Sequence, residues 1–164
     1  MPEPEVETTA RLLVLCVGND LRGDDGIGCE VARRMASVED PVRDVQLVAD
    51  DALSLMDACE GYDRVVIVDA LQPNGLPGRI LTLDPTEGPL NAIMNDVTSH
   101  GLGLGHSLEL ARSLGRLPRH CLVVGMEGVC FTIGEGLSPV VADHIPALLT
   151  RIGEAADRLR SGQA

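Results

Sequence analysis

The sequence predicts an α/β domain built on a mostly parallel sheet with helices on both faces. Three short apolar runs have the length and composition of strands that are covered on both sides, namely Leu12–Val17, Val65–Val68 and Cys121–Val124. Between these runs, apolar residues recur at helical spacing. Strands and helices therefore alternate along the chain, as they do in parallel α/β folds.

In the amino-terminal half, each predicted strand is followed by a predicted helix. The first strand ends at Gly18, and a polar loop leads from it into the first helix. The other elements of this half are a helix marked by Ile27, Val31 and Met35, a strand over Val45–Val48, and a short helix over residues 52–60 with Leu55 and Cys59 on one face.

In the carboxy-terminal half, the strand Val65–Val68 ends at Asp69. After it come a short strand over Arg79–Leu83, a stretch with Pro and Gly over residues 84–91, a helix marked by Leu104, Leu108 and Ala111, the strand Cys121–Val124, and a last helix with Val141, Ile145, Leu148 and Ile152 on one face. Ser138 and Pro139 fit the N-cap and first position of the last helix. Pro146 lies inside that helix and predicts a kink or a division there.

The length of 164 residues favours a single domain, which we assign to residues 11–158 behind a disordered lead-in over residues 1–10. The first residues are acidic and lack the basic and apolar segments of a signal peptide. No apolar stretch reaches the ~20 residues that span a membrane. We therefore expect a cytoplasmic protein that does not bind membranes.

The composition argues against nucleic acid as a partner. A net charge of −12 would repel a phosphate backbone, and the single Tyr and single Phe leave almost no surface on which bases could stack. None of the five cysteines forms a C-x-x-C pair. This usage is typical of a reduced, cytosolic protein whose cysteines pack as small hydrophobic side chains.

The loop after the first strand, residues 18–28, is rich in glycine and joins a strand to a helix. Its spacing fits neither the dinucleotide-binding nor the P-loop pattern, and adjacent Asp24 and Asp25 would repel a pyrophosphate. Both carboxylates fit capping of the following helix, and one could cap while the other faces a cleft. The residues that we interpret as shaping this loop are Gly18, Asn19, Gly26 and Gly28.

Two further candidates for chemistry are Asp69 and His100. Asp69 follows a buried strand, where ligands bind in parallel sheets, although a carboxylate there could equally bond loop N–H groups. His100 precedes a predicted helix; we interpret His120 and His144 as structural and keep His106 in reserve. If Asp25, Asp69 and His100 converge, their oxygen and nitrogen atoms suit nickel, zinc or iron. Neither a zinc-protease motif nor a serine-nucleophile motif is present.

Four segments, taken together, resemble the hydrogenase maturation proteases. They are Val17-Gly18-Asn19 with residues 23–28, residues 65–70 with Pro77-Gly78, Ser99-His100-Gly101 with the helix over residues 104–114, and Gly125-Met126-Glu127 with residues 136–139. The segments occur in the family's order and extend over roughly residues 11–152. Departures lie at Glu127-Gly128, where the family often has Glu-Pro, and at residues 50–53, which lack the usual Gly-Thr. These departures bear on which hydrogenase the protein would process.

The resemblance implies a three-layer, phosphorylase/hydrolase-like α/β fold with a twisted sheet. It also implies a metal-dependent endopeptidase that removes the carboxy-terminal extension of a nickel–iron hydrogenase large-subunit precursor after nickel insertion. Asp25, Asp69 and His100 match the family's metal-contacting positions, and we expect them to be the catalytic residues. The nickel would be supplied by the substrate, with no permanent cofactor. We expect the protein to act as a monomer.

Two other functions fit parts of the sequence. A non-catalytic chaperone could bind immature hydrogenase or its metal through the same surface without releasing a peptide. A flavodoxin-like module that binds a small molecule is the other alternative, but the chain lacks aromatic side chains to enclose a flavin and lacks a phosphate-binding loop.

Overall fold

The computed structural model of the protein describes residues 11–90 and 103–162. The amino-terminal segment 1–10, predicted to be disordered, and His100 lie outside the described residues. The strands are β1 (Leu12–Val17), β2 (Arg43–Val48), β3 (Arg64–Leu71), β4 (Ile80–Leu83) and β5 (His120–Glu127). The helices are a short 3₁₀ helix (Gly23–Gly26), α1 (Ile27–Ala36), α2 (Ala52–Cys59), α3 (Leu104–Ser113) and α4 (Pro139–Arg160).

The five strands form one sheet in the order β2-β1-β3-β5-β4. β2, β1, β3 and β5 are parallel, whereas β4 at the edge is antiparallel to β5. The carboxyl ends of four strands therefore open onto one edge of the sheet. This arrangement confirms the predicted mostly parallel sheet.

Alternate residues of the central strands point into two separate hydrophobic clusters. On one face, side chains such as Val14 of β1 pack with residues of α1 and α4, among them Val31 and Ile145. On the other face, Leu15 of β1 packs with residues of α2 and α3 such as Leu108. Because both faces of the sheet are covered, β1 is apolar throughout and β3 and β5 are apolar in their middles, and the three-layer α/β fold is confirmed.

Two strands continue beyond the apolar runs from which they were predicted. We expected β3 to end at Asp69, but Asp69 pairs with Gly125 and Leu71 pairs with Glu127. Main-chain pairing continues through these polar positions because the two neighbouring strands are both extended there. The consequence is that Asp69 and Glu127 are held by the sheet and not by loops.

The last helix runs without a break over 22 residues, so of the two predicted effects of Pro146 the division is wrong, while the kink stays a prediction. Pro146 lies on the exposed side, while the apolar stripe that includes Ile145 and Leu148 is buried against the sheet on either side of it. This packing outweighs the loss of one main-chain hydrogen bond. Ser138 is the N-cap and Pro139 lies in the first turn, as predicted.

All five cysteines are free, and four of them are buried. Burial is the main cause that raises the pKa of Cys16 and of Cys59 to about 12. These thiols therefore pack as small hydrophobic groups, as predicted. Among the described residues, no helix has the length and apolar character needed to cross a membrane.

Candidate active site

A cavity of about 700 Å³ opens at the carboxyl ends of β1 and β2. Its walls come from the loop after β1, the end of β2, the residue after β3, and the loop after β5; side chains in these walls include Asn19, Asp20, Arg22, Asp25, Cys29, Leu47, Asp50, Gln72 and Phe131. This is the edge of the sheet at which parallel α/β proteins bind their ligands. The cavity is therefore the candidate active site.

Glycines let the loop after β1 pass close to neighbouring backbone. A Cβ on Gly18 would lie 2.3 Å from the main-chain oxygen of Asp25, and one on Gly28 would lie 2.1 Å from that of Val17. Asn19 closes the turn by accepting a hydrogen bond from the Leu21 N–H at 3.0 Å. These contacts agree with the interpretation that Gly18, Asn19 and Gly28 shape the loop.

Asp24 does not cap the helix that follows it, so the capping hypothesis is wrong for this residue. Its buried carboxylate accepts hydrogen bonds from the N–H groups of Val129 at 2.7 Å and Cys130 at 3.0 Å. It also accepts from the N–H and the hydroxyl of Ser138, both at 2.7 Å. Burial raises the pKa of Asp24, but these hydrogen bonds outweigh burial and hold that pKa below its ordinary value. Asp24 therefore joins two loops that are far apart in sequence.

Asp25 is half-buried and lines the cavity. Neither the 3₁₀ helix nor α1 has a side-chain cap, so Asp25 is not a cap either. Burial is the main cause that raises its pKa, and the nearby charge of Asp50 raises it further, while Arg22 lowers it. Asp25 is thus the carboxylate of the pair that faces the cleft.

Asp69 lies in β3 one residue beyond Val68, which pairs with Cys16 near the end of β1. Its side chain is 8% exposed and accepts a hydrogen bond from the Ala70 N–H at 2.8 Å. Burial is the main cause that raises the pKa of Asp69 well above its ordinary value, and the charges of Asp50 and Asp25 add to the rise. The structure thus brings Asp25 and Asp69 within electrostatic range of each other.

Asp50 is a third carboxylate of this cluster that the sequence interpretation passed over. It lines the cavity with Asp25, and burial and the charge of Asp51 raise its own pKa. A signal for it was present, because Asp50 follows the strand β2 just as Asp25 and Asp69 belong to the ends of β1 and β3. The rule about strand ends points to this loop as well.

The predicted third site residue, His100, lies outside the described residues. Of the other three histidines, exposed His106 is in the first turn of α3, His120 is the first residue of β5, one position before the predicted strand, and exposed His144 is on α4, where its ring bonds the Val140 carbonyl at 2.7 Å. Within residues 11–90 and 103–162, no group of three or more His, Cys, Asp and Glu side chains is arranged to hold a metal ion.

Glu127 holds the segment that follows β3. Its side chain is fully buried and accepts hydrogen bonds from the N–H groups of Asn74 and Leu76, the latter at 2.9 Å. The guanidinium Nε of Arg79 lies 3.3 Å from its other oxygen. This fixes the start of the β3–β4 connection, from which Gln72 reaches the cavity.

The chemistry available here is that of carboxylates in a partly dry cleft. A raised pKa makes a carboxyl group more able to hold a proton, which general acid–base catalysis can use. The same oxygens can bind a cation. Cys29 also lines the cavity, but burial and the charge of Asp20 raise its pKa, which disfavours a thiolate nucleophile.

Comparison with known proteins identifies relatives over most of the chain. The profile of a family described as hydrogenase maturation protease matches residues 30–155. The hydrogenase expression/formation protein HupD of Bradyrhizobium diazoefficiens is 30% identical over 82% of this chain and 72% of its own length. The hydrogenase 2 maturation protease of Escherichia coli is 27% identical over 87% of this chain and 88% of its own.

Solved structures agree with the sequence comparison. The hydrogenase maturating endopeptidase HybD from Escherichia coli aligns with a TM-score of 0.74 and 26% identity, over 90% of this chain and 93% of that one. A NiFe hydrogenase maturation protease HybD from Thermococcus kodakarensis aligns with a TM-score of 0.71 and 26% identity, over 88% and 97%. The resemblance read from the sequence is confirmed: the chain belongs to the hydrogenase maturation protease family, a family of endopeptidases.

Proposed function

We propose that this protein removes the carboxy-terminal extension from the large-subunit precursor of a nickel–iron hydrogenase once nickel has been inserted. In this proposal the nickel belongs to the precursor and serves as the recognition element. The observation that carries it is geometric: Asp25, in the loop after β1, lines a cavity at the carboxyl edge of the sheet, and buried Asp69 lies near the end of the neighbouring strand β3. Carboxylates in such a position can hold either a cation or a transferable proton.

The donor atoms suit nickel. Asp25 and Asp69 would supply carboxylate oxygens and His100 an imidazole nitrogen, a mixed set that divalent transition metals accept. Three protein ligands leave coordination positions for groups of the precursor. A precursor without nickel would lack this anchor and would not be held for cleavage.

Once the precursor is held, the protein's carboxylates can assist hydrolysis. A carboxylate with a raised pKa can accept a proton from the attacking water and return it to the leaving amine. The nickel would polarise the peptide carbonyl or the water. Asp69 is the better candidate for proton transfer because it is the more buried of the two carboxylates.

We also propose that the protein acts as a monomer in the cytoplasm. Support for the compartment comes from the cysteines, all of which are free, because a reducing environment keeps thiols unpaired. Size-exclusion chromatography with light scattering tests the oligomeric state, and a molecular mass of twice the chain mass would contradict a monomer.

The deciding test is cleavage of nickel-loaded and nickel-free precursor, followed by mass spectrometry for the released peptide. Wild type would be compared with Asp25→Asn, Asp69→Asn and His100→Ala, and with exposed Asp143→Asn and His144→Ala as matched controls. We expect release from the nickel-loaded precursor alone, lost in the three site variants and kept in both controls. Tight binding without release by wild type would instead favour a chaperone. Release that survives all three substitutions would refute the site.

A further inference from the structure

Exposed apolar side chains occur in, or next to, the segments that line the cavity. Ile133 is 81% exposed, Leu21 is 69% exposed and Leu47 is 49% exposed. Leu47 and Phe131 line the cavity itself, and Phe131 lies two residues from Ile133 in the same loop. Single exposed apolar residues are ordinary, but a group of them at the mouth of one cavity is a feature of binding surfaces.

The loops that carry Leu21, Phe131 and Ile133 are joined to each other by hydrogen bonds. The Gly134 N–H donates to the Leu21 carbonyl at 2.9 Å, and the Gly23 N–H donates to the Glu135 carbonyl at 3.0 Å. Arg22 donates from Nε to the Phe131 carbonyl at 3.2 Å. The loop after β1 and the loop after β5 therefore form one unit, and Leu21 and Ile133 lie beside each other on it.

The buried carboxylate of Asp24 holds this unit in place through hydrogen bonds. Its hydrogen bonds reach Val129 and Cys130 at the start of the second loop and Ser138 at its end. The Asp24 N–H also donates to the Cys130 carbonyl at 2.7 Å. Apolar side chains on a backbone held in this way need little ordering when a partner binds, which lowers the entropic cost of association.

We propose that Leu21, Ile133 and Phe131 form a docking surface for an apolar segment of the precursor subunit next to the peptide bond that is cleaved. The proposal rests on the proposed function and names how the protein partner is gripped. Continuity with the cavity argues for this occupant: Phe131 lines the cavity together with Asp25, and Leu21 lies between Asp20 and Arg22, which line it as well. The protein carries a net charge of −12, so charge attraction depends on the sign of the partner's charge. Apolar contact does not.

The test uses Leu21→Ser, Ile133→Ser and the double variant, with Val38→Ser and Leu114→Ser as controls. Val38 and Leu114 are 62% and 58% exposed, and they follow α1 and α3 at the opposite edge of the sheet. Steady-state cleavage of nickel-loaded precursor gives kcat and KM, and binding is measured separately by interferometry. We expect KM and Kd to rise roughly tenfold in the double variant while kcat changes by less than about twofold.

An unchanged KM and Kd in the double variant would overturn the docking surface, and so would an equal rise in the control variants. Failure of wild type to cleave any cognate precursor is a different result and would refute the proposed function. In that case, loss of precursor binding in the double variant would still support the surface. If wild type dimerises and the double variant is monomeric with an unchanged Kd for precursor, the surface joins two copies and the proposal is wrong. Unchanged thermal midpoints verify that the variants are folded.

Discussion

Asp69 is a carboxylate that the fold accommodates at a cost in stability. Burial, with Asp50 next, raises its pKa in the folded protein above the ordinary 3.8. Because the pKa of Asp69 is raised in the folded protein, its contribution to stability is complete below pH 3.8. That contribution is lost as the pH rises through the pKa of the folded state. Near neutral pH, Asp69 therefore opposes folding.

We predict that Asp69→Asn raises the free energy of unfolding near neutral pH by roughly 0.5–2 kcal/mol and abolishes cleavage. The amide keeps an oxygen that can accept from the Ala70 N–H but removes the buried charge. Urea unfolding measures the change, and the gain should shrink toward acid pH. Asp143→Asn, on an exposed face of α4, is the control and should change little. A destabilised Asp69→Asn would contradict this reading of the site.

The pKa of Asp24 is shifted in the opposite direction. Although burial raises its pKa, hydrogen bonds from Cys130, Ser138 and Val129 bring it below the ordinary 3.8. Its contribution to stability is therefore complete above 3.8 and is lost as pH falls through the folded pKa. We predict that Asp24→Asn costs about 1–3 kcal/mol near neutral pH, because an amide cannot accept all four of these hydrogen bonds.

The pH dependence separates this explanation from a simple packing defect. The difference between wild type and Asp24→Asn, measured by denaturant unfolding over a pH series, should decrease below pH 4, where the ordinary carboxyl group itself takes up a proton. A difference that stays constant into acid would show that the charge of Asp24 contributes nothing.

Sequence reasoning at the residue scale succeeded where a residue follows a strand and failed where its partners are distant. Asp25 and Asp69 were assigned to one edge of the sheet because both follow apolar runs. Asp24 was interpreted as a helix cap because its true partner Val129 lies 105 residues farther along the chain. No local pattern encodes such a contact. Asp50 could have been found by applying the same strand-end rule to β2.

At the scale of elements, α4 contains a proline that its packing tolerates. Pro146 lies in the interior of the helix on its exposed side. We predict that Pro146→Ala stabilises the protein by about 1–3 kcal/mol, because alanine restores a main-chain donor and removes a clash with the preceding turn. Chemical denaturation measures the gain.

Pro139 of the same helix provides the matched control. It lies in the first turn, where a proline forfeits no hydrogen bond and its fixed φ suits the helix. Pro139→Ala should therefore bring no gain in unfolding free energy. Equal gains at both prolines would show that the interior position of Pro146 is not the cause of the gain.

Elements were predictable from sequence where apolar periodicity is continuous. The order of strands and helices followed from buried runs such as Leu12–Val17 and from helical spacing. The ends of β3 and β5 could not be predicted in this way, because polar Asp69 and Glu127 interrupt the apolar pattern while the main chain keeps pairing. The continuity of α4 was also hidden, since burial of its apolar stripe against the sheet decides it.

For the whole molecule, a net charge of −12 implies mutual repulsion within a chain of 164 residues. Ion pairs such as Arg11 with Asp44 are exposed and offset little of this repulsion. We predict that raising NaCl from about 0.02 M to about 0.3 M increases the thermal midpoint by a few degrees, because salt screens like charges. Differential scanning calorimetry measures the shift. Destabilisation by salt would mean that the ion pairs outweigh the net repulsion.

The hydrogen bonds of Asp24 have a consequence for the synthesis of the protein on the ribosome. Translation adds roughly 5–20 residues each second, so β1 and the loop behind it emerge seconds before their partners at Val129 and Ser138 exist. Until those residues leave the exit tunnel, the carboxylate of Asp24 has nothing to bind, and the walls of the cavity are incomplete. The walls of the cavity are therefore completed only after residue 138 has left the exit tunnel.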